Sequence, residues 1–151
     1  MKNLEIAKIL FEIAEMLELQ SVQFKPRAYQ KAARTIESLS ESIEEVYKRG
    51  ALTELPGVGE HIAKKIEELI KTGKLKYYTQ LKKELPMDVE QLGRVQGMGP
   101  KRIKLLYDEL RVKNMDDLKK AAQQHQIREI KGLGEKVEED VLKGIELAQK
   151  S

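Results

Sequence analysis

Two glycines that flank one apolar residue occur three times in this chain of 151 residues, as Gly57-Val58-Gly59, Gly97-Met98-Gly99 and Gly132-Leu133-Gly134. Glycine permits a tight turn between two helices, because it reaches positive φ without strain and has no Cβ to clash. We expect the apolar residue to anchor each turn in the core. The second glycine would leave the first N–H groups of the following helix open to a phosphate oxygen.

The three copies also share an apolar residue two positions before the first glycine, namely Leu55, Val95 and Ile130. A single such motif can merely end a helix, but three copies with the same surroundings favour a repeated phosphate-binding element. We interpret them as helix-hairpin-helix motifs. No base edge is contacted in this arrangement, so DNA binding would be indifferent to nucleotide sequence.

Basic residues close to the turns are candidates for additional phosphate contacts, and they are His61, Lys64, Arg94, Lys101, Lys104 and Lys136. The third copy is the weakest of the three. Glu135, Glu138, Glu139 and Asp140 make its second helix acidic, which would repel DNA. Its glycines, Gly132 and Gly134, could therefore be purely structural.

The composition excludes several classes of function. The net charge is only +3, so affinity for a polyanion must come from where the charges lie. The chain has no Cys and two distant His, which excludes disulfides and argues against a zinc site. No segment approaches the length of a bilayer span. We expect a cytoplasmic monomer without membrane association.

Helical spacing of apolar residues runs through the whole chain and predicts an all-α fold of two small helical subdomains. Asn3 could cap a first helix that turns Leu4 inward, and Ser40 or Ser42 could cap a third. Pro86 marks the expected boundary between domains 1–85 and 86–151. The remaining predicted helices include 26–39, 60–72, 74–85, 88–92, 101–110, 115–124 and 135–149.

Four segments resemble the amino-terminal region of family X DNA polymerases, and they are 24–33 (FKPRAYQKAA), 55–66 (LPGVGEHIAKKI), 72–75 (TGKL) and 94–100 (RVQGMGP). The first three are similar to the lyase domain of DNA polymerase beta, and the fourth to the adjoining DNA-binding subdomain. The order of the hairpins looks most like that of bacterial and archaeal members. No polymerase palm is present, so we expect no nucleotidyl transfer from this chain.

The resemblance implies a role in base excision repair at gapped or nicked double-stranded DNA, beside a palm domain in the parent protein. It also implies 5′-deoxyribose-phosphate lyase activity, with Lys65 as the nucleophile that forms a Schiff base. Lys25 and Tyr29 match phosphate-pocket positions. The carbonyls of Leu55, Val58, Val95 and Met98 are candidates for holding Na⁺ or K⁺ at the hairpins, and no other cofactor is expected.

Helical geometry supports Lys65 independently, because it lies at the edge of the apolar stripe formed by Ile62, Ile66 and Leu69. An ammonium beside apolar surface has a lowered pKa, which favours the free amine that attacks an aldehyde. However, Thr53, His61 and Tyr77 stand where the family has lysines, and Phe24 stands where it has a histidine. Two alternatives remain open: a helix-hairpin-helix module without catalysis, and a helical protein-interaction scaffold.

Overall fold

A computed structural model describes residues 1–150 of the chain, and within them it contains helices and no strands. The all-α prediction is confirmed. The α-helices are α1 (Asn3–Leu19), α2 (Lys25–Glu37), α3 (Ile43–Lys48), α4 (Glu60–Thr72), α5 (Lys76–Glu84), α6 (Val89–Leu92), α7 (Pro100–Leu110), α8 (Met115–Gln123) and α9 (Glu135–Lys150). Short 3₁₀ helices at Leu52–Glu54 and Ile127–Glu129 precede the first and third glycine pairs.

The chain divides into two compact units, Met1–Lys83 and Glu84–Ser151. The expected boundary at Pro86 falls just after this division. The first unit contains the first glycine pair, and the second unit contains the other two. The functions assigned to the two halves stay predictions.

The core of the first unit forms where α1 packs against α2. Ile6, Leu10 and Ile13 of α1 are fully buried, whereas Leu4 is 66% exposed, so its predicted inward position is wrong. Asn3 does not cap α1. Its amide donates to the carbonyl of Glu41 and accepts from the N–H of Ile43, both at 2.8 Å, so it fixes the start of α3 instead.

Helices α3 and α4 have ends that the sequence specifies locally. The hydroxyl of Ser42 accepts from the N–H of Glu44 at 3.2 Å and caps α3. Helix α4 runs from Glu60 to Thr72, as predicted, and Gly73 ends it in the left-handed conformation with φ 73°. The first glycine pair lies directly before α4.

Polar caps also define the short helices of the second unit. The side chain of Asp88 accepts from the N–H of Gln91 at 3.0 Å at the start of α6, and Asn114 accepts from Asp117 at 2.8 Å at the start of α8. The second glycine pair lies between α6 and α7, and the third lies before α9. Leu106, Leu118, Ile127 and Ile145 are fully buried in this unit.

Helix α9 contains a glycine that sequence analysis did not single out. A Cβ on Gly144 would lie 2.8 Å from Cγ1 of Val95 and 3.5 Å from the backbone nitrogen of Gln96. Glycine at this position therefore lets α9 lie directly against the segment that leads into the second turn. The helix of the third repeat thus packs against the residues that precede the second turn.

Candidate nucleic-acid interface

The three glycine pairs form turns with the same geometry. The first glycine of each pair has positive φ: 82° at Gly57, 86° at Gly97 and 91° at Gly132. Between the glycines, the N–H of the apolar residue donates at 3.0 Å to the carbonyl three residues earlier, joining Val58 to Leu55, Met98 to Val95 and Leu133 to Ile130. The equivalence that the sequence predicts for the repeats is therefore present in the backbone.

The central apolar residues of the three turns are buried to different extents. Val58 and Met98 are 4% and 6% exposed, which fits the anchoring role expected from the sequence. Leu133 is only half-buried. The third turn is thus less firmly anchored by its central residue than the other two.

The second glycine of each pair does not need to be glycine for the sake of the fold. Gly59 and Gly99 are extended, with φ −88° and −87°, a conformation that any residue adopts. A Cβ built on Gly59, Gly99 or Gly134 would meet no atom within 4 Å. The space beside each turn is therefore open to a group that approaches from outside the chain.

The helix that follows each turn presents unpaired N–H groups at that space. The first intrahelical bonds join Ala63 to Gly59 at 2.9 Å, Ile103 to Gly99 at 3.0 Å and Glu138 to Gly134 at 3.0 Å. N–H groups that precede these bonds have no partner in the helix, and the helix dipole adds positive potential there. Such a terminus can bind a phosphate oxygen.

Most of the basic residues expected near the turns are exposed, and these are His61, Lys64, Arg94, Lys101 and Lys136. Lys104 differs from them. It is half-buried and its ammonium lies 3.1 Å from the carboxylate of Asp108, one turn away on α7. Part of its charge is therefore neutralised within the chain.

Arg102 contacts the second turn directly, although the glycine motifs do not point to it. Its Nη1 donates to the carbonyl of Gly97 at 3.1 Å, and a Cβ on Gly97 would lie 3.3 Å from the same nitrogen. Aligning the three repeats on their glycines could have revealed it, because Arg102 stands where the other repeats have Ile62 and Val137.

The sequence predicts that the acidic residues at the N-terminus of α9 are exposed and repel DNA, and this prediction is wrong for Glu138. This residue is fully buried, and its carboxylate accepts from Nε of Arg128 at 2.9 Å, from the N–H of Arg128 at 2.9 Å and from Nδ1 of His125 at 2.8 Å. Burial alone raises the pKa of Glu138, but these hydrogen bonds outweigh it and lower the pKa. Glu138 therefore ties α9 to the preceding 3₁₀ helix. Glu135, Glu139 and Asp140 remain exposed.

A second cluster lies in the first unit around Lys65. Its ammonium nitrogen lies 4.7 Å from the centroid of the Tyr77 ring, and Tyr77 stacks on Tyr29 with centroids 6.3 Å apart. Burial lowers the pKa of Lys65, and the positive charge of Lys25 lowers it further. Burial also raises the pKa of Tyr29 well above its ordinary value, with a smaller effect from Tyr77. The structure thus brings together Lys25, Tyr29 and Lys65.

Phe24 and Thr53, which depart from the family pattern, lie in different surroundings. Phe24 is 84% exposed and precedes α2 with φ 68°. Thr53 lies in a groove of about 450 Å³ that Tyr47, Lys64 and Glu67 also line. Lys64 therefore faces a different part of the surface from Lys65, as the helical spacing predicts.

Within residues 1–150 no cluster of His, Asp and Glu side chains is arranged to hold a metal ion. The carbonyls of Leu55 and Val95 each accept one turn hydrogen bond, which leaves one lone pair on each oxygen. A monovalent cation at these carbonyls and at those of Val58 and Met98 stays a prediction. None of the helices in the described part of the chain is long and apolar enough to cross a bilayer.

Comparison with known proteins agrees with this architecture. A helix-hairpin-helix domain family matches residues 1–75, and the SAM-like helix-hairpin-helix tandem family matches residues 49–113 and 89–146. The chain is similar to the N-terminal part of the DNA polymerase/3′-5′ exonuclease PolX of Bacillus subtilis (strain 168), with 33% identity over 146 residues. That match covers 96% of this chain and 25% of the relative, so the chain spans about a quarter of its length. The protein belongs to the SAM-like helix-hairpin-helix tandem family.

Proposed function

We propose that the protein binds double-stranded DNA through backbone phosphates, without sequence specificity, at the turns Gly57–Gly59 and Gly97–Gly99. The observation that carries this proposal is the open space beside Gly59 and Gly99, at which a helix N-terminus presents its N–H groups. Phosphate contacts of this kind position a protein on DNA but do not distinguish bases. Family membership and the similarity to a DNA polymerase support DNA binding.

The proposal includes a preference for gapped or nicked duplex and a repair role beside a polymerase palm domain. Similarity to part of a polymerase/exonuclease supports it. A gel-shift series with gapped, nicked and intact duplex tests the preference. Gapped DNA with a 5′-phosphate should bind more tightly than the same DNA without it. Equal affinity for all of these substrates would leave only general duplex binding.

Gly99→Val provides a sharp test of the hairpin site. The backbone conformation of Gly99 suits valine, and no atom lies within 4 Å of the added Cβ, so the thermal midpoint should hardly change. The side chain would nevertheless fill the space that a phosphate oxygen needs, and DNA affinity should fall at least tenfold. Gly134→Val, at the third turn, is the matched control and should bind nearly normally.

The competing interpretation is a protein-interaction scaffold in which the glycine turns only pack helices. It predicts no DNA binding by the wild-type chain even at low salt. It also predicts that Gly59→Val and Gly99→Val alter stability alone. The first result would exclude DNA binding, and the second would exclude the two turns as the DNA-binding site.

Lyase activity at Lys65 is a second candidate function, favoured by the lowered pKa of that lysine and by its position beside Lys25 and Tyr77. The free amine would attack the C1′ aldehyde of a 5′-deoxyribose phosphate and, with loss of water, form an imine. Removal of a C2′ proton would then break the C3′–O bond and release the strand with a 5′-phosphate. Hydrolysis of the imine would regenerate Lys65.

Borohydride trapping on a preincised abasic duplex tests the lyase proposal. The wild-type chain should form a covalent adduct, and Lys65→Ala should not. Lys64→Ala removes the same charge from the neighbouring position. It should still form the adduct when the DNA is saturated with protein, because Lys64 is exposed on another face of α4 and has no part in forming the imine. If the wild type does not trap, or Lys65→Ala traps equally well, the chain is a binding module without catalysis.

A further inference from the structure

The first turns of α4, α7 and α9 differ in charge although their backbones are equivalent. The residues after the second glycine are Glu60-His61-Ile62, Pro100-Lys101-Arg102 and Glu135-Lys136-Val137. The first and third helices thus begin with an exposed carboxylate, while α7 begins with proline and two cations. A carboxylate stabilises a helix N-terminus but competes there with any other anion. The second hairpin is the one that offers no such competitor.

Arg102 changes the second turn in a way that the other two turns cannot match. Its Nη1 donates to the carbonyl of Gly97 at 3.1 Å and so offsets the negative end of a peptide dipole at the turn. The equivalent Ile62 and Val137 have hydrocarbon side chains that cannot donate a hydrogen bond. A guanidinium has five N–H donors, so several remain for a second acceptor.

Pro100 makes these additional donors more valuable. Proline has no N–H, so α7 presents one backbone donor fewer than α4, whose equivalent residue is Glu60. Lys104 does not fully replace that donor, because it is paired with Asp108. Arg102 is bound to the turn at Gly97, and its remaining N–H groups can replace the missing donor.

We propose that the second hairpin supplies most of the affinity for DNA, and that Arg102 both fixes its turn and contacts a backbone phosphate. This inference rests on the proposed DNA binding and deepens it. It makes the three hairpins unequal, with the second dominant because it lacks a carboxylate at the helix start and carries a guanidinium bound to its own turn.

The test measures the dissociation constant of the full chain for a fluorescent gapped duplex across a series of KCl concentrations. Arg102→Met keeps the aliphatic part of the half-buried side chain but removes the charge and donors. Affinity should fall roughly tenfold, and the slope of log K against log[salt] should flatten by about 0.9, as for one lost phosphate contact. Arg102→Lys keeps the charge but lacks the planar fork of donors. Its DNA affinity should lie between those of the wild type and Arg102→Met.

Arg111→Met is the matched control. Arg111 lies at the C-terminal end of α7, so this substitution removes the same charge from the same helix but far from the turn. It should leave the slope nearly unchanged. Equal slopes and affinities for the two variants would overturn the role of Arg102 while leaving DNA binding intact. Failure of the wild type to bind at low salt would instead overturn the proposed function. Thermal melts of each variant separate loss of binding from loss of folding.

Discussion

The ammonium nitrogen of Lys65 lies 4.7 Å from the centroid of the Tyr77 ring. The negative face of an aromatic ring stabilises a nearby cation. Burial and the charge of Lys25 act in the opposite direction and lower the pKa of Lys65. A lysine at position 77, which the resemblance to DNA polymerase beta would predict, would lower that pKa further. Tyr77 therefore limits how far the amine is activated.

Replacing Tyr77 by leucine should lower the pKa of Lys65 further, because the stabilising ring is removed while burial and Lys25 remain. Tyr77→Phe keeps the ring and should leave that pKa closer to its wild-type value. The measurement is the pH dependence of the NMR signal of ¹³C-methylated lysine, assigned with Lys65→Arg. Tyr78→Leu is the control, since the Tyr78 ring faces Lys82 at 4.2 Å. A rise in the Lys65 pKa in Tyr77→Leu would contradict this account of the ring.

Features that depend on short stretches of sequence were predictable. The limits of α4 follow from the glycine pair before it and Gly73 after it, and the structure places them where the sequence predicts. The three turns follow from the spacing of glycines and apolar residues, which requires no knowledge of distant contacts. The position of Lys65 at the edge of the apolar stripe is likewise a property of one helix.

Features that depend on tertiary contacts were not predictable in this way. Nothing local shows that Asn3 binds the backbone next to α3 rather than capping its own helix. Glu138 has the sequence context of an exposed acid, yet Arg128 and His125 surround it. The contact between Lys65 and Tyr77 joins two helices whose separation in sequence gives no periodic signal.

The stability of the second unit should depend on pH through Glu138. Its folded-state pKa is lower than the ordinary 4.5, so its stabilising effect is fully present above that pH. The effect is lost as pH falls through the lowered folded-state pKa. Glu138→Gln should therefore be less stable than wild type by about 1–3 kcal/mol at pH 7, and the difference should shrink in acid.

Urea unfolding of the full chain between pH 3 and pH 7, followed by amide NMR signals of α9, measures this effect. Glu139→Gln is the control, because Glu139 is the exposed neighbour on the same helix. It should change stability little at any pH. A difference between wild type and Glu138→Gln that grows in acid would contradict the assigned direction of the pKa.

Glu60→Gln should increase DNA affinity at the first hairpin. The exposed carboxylate of Glu60 lies at the start of α4. There it repels a phosphate, and it stabilises the helix by interacting with the positive end of the helix dipole. We expect tighter binding in titrations at low salt and a loss of about 0.3–1 kcal/mol in folding stability. Glu67→Gln, on the same helix but paired with Lys71 at 3.2 Å, should raise affinity less. Equal effects of the two variants would indicate only a change in net charge.

Gly144→Ala should destabilise the second unit although alanine is the better helix former. Helix propensity favours the substitution by about 1 kcal/mol. The added Cβ, however, would lie 2.8 Å from Cγ1 of Val95, and such overpacking costs about 1–3 kcal/mol. Because Val95 leads into the second turn, DNA affinity should fall as well. Lys143→Ala, exposed on the same helix, is the control.

A double-mutant cycle distinguishes this clash from a general effect on α9. Val95→Ala removes the methyl group that the new Cβ would meet, so it should cost less stability in the Gly144→Ala background than in wild type. The coupling energy should be about 0.5–3 kcal/mol, measured by urea unfolding. Additive effects of the two substitutions would show that Gly144 is not required for the approach of α9 to the second turn.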